Sequence, residues 1–241
     1  MISQAPVRHF ATVDSTNLEA QRLAAAGERG PLWIGADEQA SGKGRLGRTW
    51  VSAAGNLYST LLLPIDAAPV TIPQLAFVVA LAVHDSVSGA CPGATVKLKW
   101  PNDCLLNGGK VAGILCESVG QGVIAIGCGI NVAHAPQGLA YAAAFLRQVQ
   151  ASVTLEAVFE TYRASLGVRL AQWHGGSGFP SIIVDWQCRG QGLDEVVEVK
   201  QGGVVRRGVF LGLAGDGALR LQNPDGTVEN VYAGDVSQGS T

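Results

Sequence analysis

A segment that cannot be buried interrupts the first third of the chain. Residues 41–50 read SGKGRLGRTW, and seven of them in a row contain three cations and three glycines. The cations repel one another until an anion neutralises them, and the glycines let the backbone turn at positive φ and approach a ligand closely. Strand-like runs lie on both sides, at residues 32–36 and 56–63. We therefore expect this segment, the clamp loop, to join two strands and bind a polyanion.

Two common nucleotide-binding motifs do not explain the clamp loop. A Walker-type phosphate loop requires G-x-x-x-x-G-K-[ST], but here Lys43 is followed by Gly44. The glycines have the G-x-G-x-x-G spacing of a dinucleotide fingerprint, but no helix-forming run follows Trp50. A solvated basic loop without a ligand is the structural alternative.

A second unusual stretch lies downstream, with KWPND at residues 99–103 and GKVAGIL at residues 109–115. With the clamp loop, these motifs resemble the biotin protein ligase family, whose members activate biotin as its adenylate and attach it to a lysine of a carrier protein. The resemblance extends from Asp14 to about Asp235. It implies a ligase that uses ATP and Mg²⁺, forms biotinyl-5′-AMP with release of pyrophosphate, and modifies the biotin carboxyl carrier protein of acetyl-CoA carboxylase.

Composition limits the class of protein. At 241 residues, with 47% hydrophobic residues and a mean hydropathy of +0.23, the chain is expected to form one main domain and a small appended module. A formal net charge of −2 argues against a general nucleic-acid surface. The five cysteines form no C-x-x-C pair and the four histidines are scattered. We expect no structural metal and a reducing, cytoplasmic environment.

The N-terminal part of the chain carries no targeting signal that we recognise. It lacks an apolar signal core, and the longest uncharged apolar run, residues 75–83, is far shorter than the roughly 20 residues that cross a bilayer. We therefore predict no membrane association. Because few residues precede Asp14, we also predict a short form of the family, without an N-terminal DNA-binding domain and without repressor function.

The order of predicted elements indicates an α+β protein. A β meander runs from about residue 95 to residue 132, helices are predicted at residues 154–173 and 181–186, and four short strands follow between residues 195 and 232. We predict a mixed or antiparallel sheet packed with helices, as in the class II aminoacyl-tRNA synthetase-like catalytic domain of biotin ligases, over residues 1–188. A small SH3-like β barrel is predicted over residues 189–241.

Activation of a carboxylate by ATP brings two anions together, so the site must neutralise the acid, the triphosphate and the pentavalent transition state. Arginine stays charged and binds two oxygens at once, whereas lysine supplies a compact point charge. Arg45 in the clamp loop and Lys110 in the second motif are therefore the predicted catalytic residues.

The resemblance implies further site residues. Those that match biotin contacts in the family are Ser15, Thr16, Asn17, Gln39, Lys43, Gly44, Arg45, Lys110 and Gly113. Those that match nucleotide contacts are Arg48, Trp50, Asn102, Asp103 and Asn131, with Asp103 also the candidate Mg²⁺ ligand. Structural alternatives stay open for several of them. Thr16 and Glu19 could form a helix capping box, Trp50 could anchor the core, and residues 101–103 could be a turn without a chemical role.

The clamp loop departs from the family pattern at two positions, since Lys43 and Leu46 stand where members often carry arginine. Lys43 keeps the charge, but Leu46 removes one cation, which could change how tightly the loop holds the adenylate. We expect the loop to be mobile when empty and to order over the adenylate.

Two rival functions are considered. A lipoate or octanoate ligase shares the catalytic-domain fold, and pyrophosphate exchange with the two acids would separate it from a biotin ligase. A non-catalytic binding module would tolerate the loss of Arg45 or Lys110. The sequence leaves the oligomeric state open, with a homodimer as one alternative.

Overall fold

The main sheet has seven strands in the spatial order β1-β2-β3-β7-β6-β5-β4 in a computed structural model that describes residues 2–120 and 122–239. β1 pairs with β2 in parallel and every other neighbouring pair is antiparallel. The sheet is therefore mixed, as predicted. Its strands are β1 (Val7–Val13), β2 (Leu32–Gln39), β3 (Leu57–Pro64), β4 (Val96–Lys99), β5 (Asp103–Leu106), β6 (Gly109–Gly120) and β7 (Val123–Ile130).

Helices cover both faces of this sheet. On one face α2, α3 and α4 close the large core, where Trp33 of β2 meets Phe159 and Tyr162 edge to face. On the other face α1 packs through Ala20 over a smaller apolar cluster. The helices are α1 (Thr16–Ala25), α2 (Leu75–Ala90), α3 (Leu155–Trp173) and α4 (Phe179–Arg189), and short 3-10 turns span Ile2–Gln4, Arg45–Gly47, Pro69–Gln74, Leu146–Gln148 and His174–Gly176.

The segment Pro69–Ala90, which includes α2, is long and apolar enough to pass a length and hydropathy test for a membrane span, with a mean hydropathy of 1.6. Its most apolar window is 56% buried inside the protein. Residues on all sides of α2, from Leu75 to Val87, contribute to the core. The apolar character of α2 is thus explained by packing.

A second sheet of five antiparallel strands follows α4, in the order β11-β10-β9-β8-β12. The strands are β8 (Val196–Gln201), β9 (Val204–Leu213), β10 (Leu219–Gln222), β11 (Val228–Val231) and β12 (Asp235–Gln238). This arrangement agrees with the predicted C-terminal barrel, but the sequence prediction missed β12, whose only strongly apolar residue is Val236. The two sheets meet where Trp100 Nε1 donates to Gly217 O at 3.2 Å. The division between residues 188 and 189 stays a prediction.

The capping box suggested for the start of α1 was wrong. Ser15 occupies the N-cap position, and no side chain caps the helix there. The Thr16 hydroxyl instead donates to Gln39 Oε1 at 3.1 Å, and Glu19 accepts from Arg22 Nε at 2.7 Å. Both side chains have other partners, Gln39 for Thr16 and Arg22 for Glu19, so the capping box does not form.

Candidate active site

A cavity of about 960 Å³ lies between the clamp loop, the main sheet and the edge of the second sheet. Residues from the start of α1, from β5 and β6, and from β8 and β12 line it. Every predicted site residue except Asn131 contributes to its wall. Positions as far apart in the chain as Ser15 and Gln238 therefore face one common space.

The clamp loop folds back on itself. Trp50 N donates to Gly42 O at 2.8 Å, and Gly44 N donates to Arg48 O at 2.7 Å. A Cβ at Gly42 would collide with Trp50 O and Ser52 Oγ, so this crossing requires glycine. At the tip Leu46 has φ 56° and is 83% exposed. The loop thus closes into a narrow hairpin that presents its cations to the cavity.

Arg45 is anchored to the second motif. Its Nη1 donates to Asn102 Oδ1 at 2.8 Å, and Asn102 Nδ2 donates in turn to Ile114 O at 2.7 Å. Burial lowers the pKa of Arg45, although Asp235 and Asp103 act in the opposite direction. A guanidinium stays charged in proteins even when burial lowers its pKa. Since Arg45 has five N–H donors, it can still bind an anion in the cavity.

Lys110 lies in a compact polar and aromatic setting. Its Nζ is 2.7 Å from Asp103 Oδ1, and both side chains are 19% exposed. The same Nζ lies 5.4 Å from the ring centre of Trp50 and 5.6 Å from that of Tyr141, which are cation–π distances. The ammonium group is therefore held in one place before any substrate arrives.

The opposite part of the cavity is neutral and already hydrogen-bonded. Thr16 donates to Gln39 Oε1 through its N–H at 2.9 Å and through its hydroxyl at 3.1 Å. Gln39 Nε2 donates to Ser52 Oγ at 2.8 Å, and Ser52 Oγ donates to Trp50 O at 2.9 Å. This chain of bonds links the start of α1 to the end of the clamp loop.

Asn17 extends this network across the sheet, as far as the exposed carboxylate of Glu117. Its Nδ2 donates to Glu117 Oε2 at 2.7 Å and to Leu115 O at 3.2 Å. The Thr60 hydroxyl lies 2.7 Å from Asn17 Oδ1 and 2.8 Å from Thr16 Oγ1, and it can donate to one of the two. A Cβ at Gly127 would collide with Asn17 Oδ1, so glycine on β7 makes room for this side chain.

Trp50 covers two glycines of the sheet. A Cβ at Gly113 would lie 2.9 Å from Trp50 Cζ3, and one at Gly129 would lie 2.6 Å from Trp50 Nε1. The indole N–H is buried and has no hydrogen-bond partner among the described residues. It is consequently a donor available to a ligand with an acceptor at this position.

The second sheet reaches the clamp loop through an ion pair. Arg48 Nη2 donates to Asp235 Oδ1 at 2.8 Å and Oδ2 at 3.0 Å, and this hydrogen bond raises the pKa of Arg48. Both side chains are about half exposed, at 53% and 52%. An ion pair this exposed contributes little stability, so Arg48 can exchange Asp235 for another anion at low cost.

Two family models match the chain. The Biotin/lipoate A/B protein ligase family matches residues 10–131, and the Biotin protein ligase C terminal domain matches residues 192–239. A biotin--[acetyl-CoA-carboxylase] ligase of Paracoccus denitrificans is 41% identical over 227 residues, which cover 90% of this chain and 94% of the relative. The chain belongs to the biotin protein ligase family.

Other members of the biotin protein ligase family agree in sequence and in structure. The biotin--[acetyl-CoA-carboxylase] ligase of Mycobacterium tuberculosis is 33% identical over 237 residues, covering 94% of this chain and 86% of the relative. The biotin protein ligase of Aquifex aeolicus, solved with biotin and ATP, superposes with a TM-score of 0.82 at 25% identity, covering 96% of this chain and 97% of that chain. The similarity therefore includes both sheets.

Asn131 is the predicted site residue that does not line the main cavity of this biotin protein ligase family member. It is buried, and its Nδ2 donates to Ala144 O at 3.0 Å. Asn131 lines a small adjacent cavity of about 30 Å³, whose wall also includes Trp50 and Lys110. Its assignment as an adenine contact stays a prediction, since a ligand would have to reach it past Trp50.

Sequence reasoning missed several residues that the fold brings to the site. Thr60 and Ser52 complete the neutral network. The ring of Tyr141 lies at a cation–π distance from Lys110. A threonine inside the apolar run of β3 is a signal that could have identified Thr60. No local signal marks Asp235, because its contact with Arg48 depends on how the second sheet packs.

Proposed function

We propose that this chain is a biotin--[acetyl-CoA-carboxylase] ligase. It activates biotin with ATP to biotinyl-5′-AMP, releases pyrophosphate, and then transfers biotin to a lysine of a carrier protein. The observation that carries the proposal is the single cavity that holds a neutral hydrogen-bonding network at one end and Arg45 with Lys110 at the other. A substrate with a neutral polar head group and an anionic tail matches these two ends.

The neutral end suits the ureido head group of biotin. A ureido group offers one carbonyl acceptor and two N–H donors, and these require matched partners inside a pocket. Ser15, Thr16, Asn17 and Gln39 supply hydroxyl, amide and backbone groups at this end, and the last three are held by the bonds described above. We assign the head group to these residues, with Gly113, against which Trp50 packs, as a further proposed biotin contact.

The cationic end suits the reacting groups. The biotin carboxylate attacks the α-phosphate, so one carboxylate oxygen forms a bond to phosphorus while the bond from phosphorus to the pyrophosphate oxygen breaks. Arg45 and Lys110 neutralise the two anions that meet, and fixed cations stabilise the extra charge of the pentavalent state. Lys43 and Gly44 line the biotin side of the clamp loop, while Arg48, Trp50 and Asn102 are proposed nucleotide contacts and Asn131 a proposed adenine contact.

The residues present fit a Mg²⁺ ion that ATP itself carries. Mg²⁺ keeps several waters and is usually bound by one or two carboxylates together with substrate phosphates. Asp103 shares one oxygen with Lys110 and has a second oxygen to offer. Within residues 2–120 and 122–239, no group of three His, Cys, Asp or Glu side chains forms a metal site of its own. When bound, Mg²⁺ would neutralise part of the triphosphate charge.

The second half-reaction needs a protein partner. A lysine amine of the carrier attacks the acyl carbon of the adenylate, an amide bond forms, and AMP leaves. We propose the biotin carboxyl carrier protein of acetyl-CoA carboxylase as this partner, in agreement with the two relatives, which are biotin--[acetyl-CoA-carboxylase] ligases. We also propose a cytoplasmic site of action, since all five cysteines are free, and no nucleic-acid partner.

The test is direct. Purified protein is mixed with biotin, ATP and Mg²⁺, and mass spectrometry is used to detect bound biotinyl-5′-AMP. Pyrophosphate exchange is then compared for biotin, lipoate and octanoate. We expect exchange with biotin alone. Exchange that depends on lipoate or octanoate instead would show that the protein is a lipoate or octanoate ligase of the same fold. Exchange with none of the acids would indicate a non-catalytic binding module.

A further inference from the structure

A buried asparagine outside the cavity joins two parts of the chain that both lead to the cavity wall. Asn56 ends the segment that returns from the clamp loop, directly before β3, and is 1% exposed. Its Oδ1 accepts hydrogen bonds from Val132 N at 2.8 Å and from Ala133 N at 2.9 Å. Its Nδ2 donates to His134 O at 3.0 Å. The side chain of Asn56 therefore binds the main chain that follows β7.

These bonds continue the main-chain pairing at a point where the sheet ends. The register between β3 and β7 stops at the pair Leu57 and Ile130. Beyond that pair Val132 is buried, and its N–H needs an acceptor that the ladder no longer supplies. Asn56 Oδ1 takes this place, because an amide oxygen has two lone pairs and can accept from two N–H groups at once. Asparagine also brings the donor for His134 O.

A histidine supplies a second link between the same two segments. His134 Nε2 lies 2.8 Å from Ala54 O. A carbonyl oxygen only accepts, so Nε2 carries the proton and donates this bond. Between Ala54 and Asn56, Gly55 has a φ of 103°, and a Cβ there would lie 3.1 Å from Ala133 Cβ. Glycine therefore lets the two segments approach closely enough for both links.

The two links hold one end of residues 131–144, which we name the cover segment. Its other end is fixed at Lys110, whose N–H donates to Ala142 O at 2.8 Å and whose carbonyl accepts from Ala144 N at 2.9 Å. Residues 135–141, between these two anchors, belong to no helix or strand. The position of the cover segment therefore depends on the bonds at both of its ends.

The cover segment forms the part of the cavity wall beside Lys110. Residues 139–142 line the cavity, and the ring centre of Tyr141 lies 5.6 Å from Lys110 Nζ. Asn56 and His134 are not among the described residues that line the cavity. They can act on a ligand in the cavity only through the segments that they join.

We propose that Asn56 is a positioning residue for ATP, which acts by holding the cover segment, and with it Tyr141, against Lys110. The inference rests on the proposed function, which places the nucleotide at the cationic end of the cavity.

The two ends of the cavity should respond differently to the loss of this residue. Without the Asn56 side chain, two N–H groups lose their acceptor, and the start of the cover segment must shift or bind water instead. Such a shift moves the wall beside Lys110. The neutral end keeps its own hydrogen bonds, since Thr16 and Gln39 bind each other directly. Binding of ATP should therefore weaken while binding of biotin is preserved.

The experiment compares three variants with two matched controls. Asn56→Ala removes the amide, His134→Phe keeps a planar ring without the Nε2 donor, and His134→Gln places an N–H donor near the position of Nε2. The control Ser86→Ala removes a buried hydroxyl that donates to Val158 O in the helical core. The control His9→Phe makes the same ring exchange on the exposed strand β1.

Steady-state kinetics of adenylate formation gives the first measurement. We expect the KM for ATP to rise about tenfold for Asn56→Ala and about threefold for His134→Phe, because the first variant loses several hydrogen bonds and the second loses one. His134→Gln should recover most of that loss. The KM for biotin should change less than about twofold in each variant. Both controls should keep the wild-type KM for ATP, although Ser86→Ala lowers the stability.

Hydrogen–deuterium exchange gives a second measurement that does not depend on turnover. The amides of Val132 and Ala133 should exchange faster in Asn56→Ala, and the increase should extend along the cover segment. In Ser86→Ala the increase should instead appear in α2 and α3. If Asn56→Ala does not fold, His134→Phe and His134→Gln provide the same comparison, since they leave Asn56 in place.

Other results would overturn the inference. A lowered stability with an unchanged KM for ATP in Asn56→Ala and His134→Phe would make the two links structural alone. An equal rise in the KM for ATP in Ser86→Ala would attribute the effect to general destabilisation. A rise in the KM for biotin as large as that for ATP would remove the assignment to the nucleotide. In a wild type that forms biotinyl-5′-AMP, these results overturn this inference alone. If the wild type forms none, the proposed function fails, and the inference fails with it.

Discussion

The two ends of the cavity are built on opposite principles. The neutral end consists of Ser15, Thr16, Asn17, Gln39 and Thr60, which lie on α1, β2 and β3 or at the start of α1 and are mostly buried. The cationic end consists of Arg45, Arg48 and Lys110, two of which belong to a loop whose tip is open to solvent. Neutral groups are preorganised on regular elements, whereas two of the three cations are presented by a loop and only Lys110 lies on a strand.

The physical reason for this difference is the cost of removing each type of group from water. A buried neutral group costs little once it is hydrogen-bonded, and the protein supplies those bonds internally. A buried charge costs several kcal/mol or more unless it is paired. The neutral end can therefore be assembled before the ligand arrives. Most of the cations, by contrast, contact water or a protein carboxylate until an anion of the ligand displaces that contact.

The largest effect should come from Lys110→Ala at the cationic end. Loss of a fixed cation at the transition state should lower the rate of adenylate formation by a factor on the order of 10² or more, as for other oxyanion contacts. Asp103 is left without its partner but still reaches solvent. The free energy of unfolding should therefore change far less than the activation free energy of adenylate formation. Pyrophosphate exchange and urea denaturation check both statements, with Lys97→Ala as control. A near-normal rate would remove Lys110 from the chemistry.

Thr60→Val should have the next largest effect and should act at the neutral end. The change keeps the shape of a fully buried side chain but removes the hydroxyl that lies between Thr16 and Asn17. We expect a loss of roughly 1–3 kcal/mol in the free energy of unfolding and about a tenfold rise in the KM for biotin. The KM for ATP should not change. Thr12→Val, at an exposed position of β1, is the matched control for the substitution itself.

A rise in the KM for ATP as large as the rise in the KM for biotin would contradict this expectation. The two ends would then act as one unit, and the division between a preorganised neutral end and a solvated cationic end would have no functional meaning.

Arg48→Gln should have a smaller effect. The loss of one cation near the triphosphate should raise the KM for ATP about fivefold, and the effect should shrink in high salt because the group is half exposed. The neighbouring carboxylate of Asp235 raises the pKa of Arg48, so no pH dependence from this residue is expected in assays between pH 6 and 9. Titrations of ATP at two ionic strengths measure this. A salt-independent loss would show that Arg48 acts from a buried position.

The smallest effect should come from Asp14→Asn, just before α1. The hydrogen bond from Arg22 lowers the pKa of Asp14 from 3.8 to about 2, and both side chains are largely exposed. A carboxyl group with a lowered folded-state pKa stabilises the fold above its unfolded-state pKa and loses that effect as the pH falls through the folded-state pKa. Since solvent screens the pair, its contribution should stay below about 1 kcal/mol.

Urea denaturation of the wild type and Asp14→Asn between pH 2 and 7 measures this contribution. The difference in the free energy of unfolding should be small and constant above about pH 5, and it should decrease steadily between about pH 4 and pH 2. A difference that persists at the lowest pH would have to arise from something other than the charge of Asp14.

Much of the fold could be predicted from periodicity and turn residues. The α+β class, the β meander, the helix around residue 155 and the C-terminal strands all follow from local patterns. Predictions failed where a competing partner was nonlocal. The capping box was wrong because Gln39 takes the Thr16 hydroxyl. β12 was missed because a four-residue strand with one apolar side chain has no periodicity to detect.

Local sequence was sufficient to identify the clamp loop, the two motifs and the membership in the biotin protein ligase family. A run of cations and glycines indicates an anion-binding loop even when its neighbours in space are unknown. Tertiary structure alone decided which carboxylate faces which cation. Arg48 lies on the clamp loop and its partner Asp235 on the second sheet, 187 positions away in the chain. Such pairings depend on how two sheets pack, which is a property of the assembled core and of no single segment.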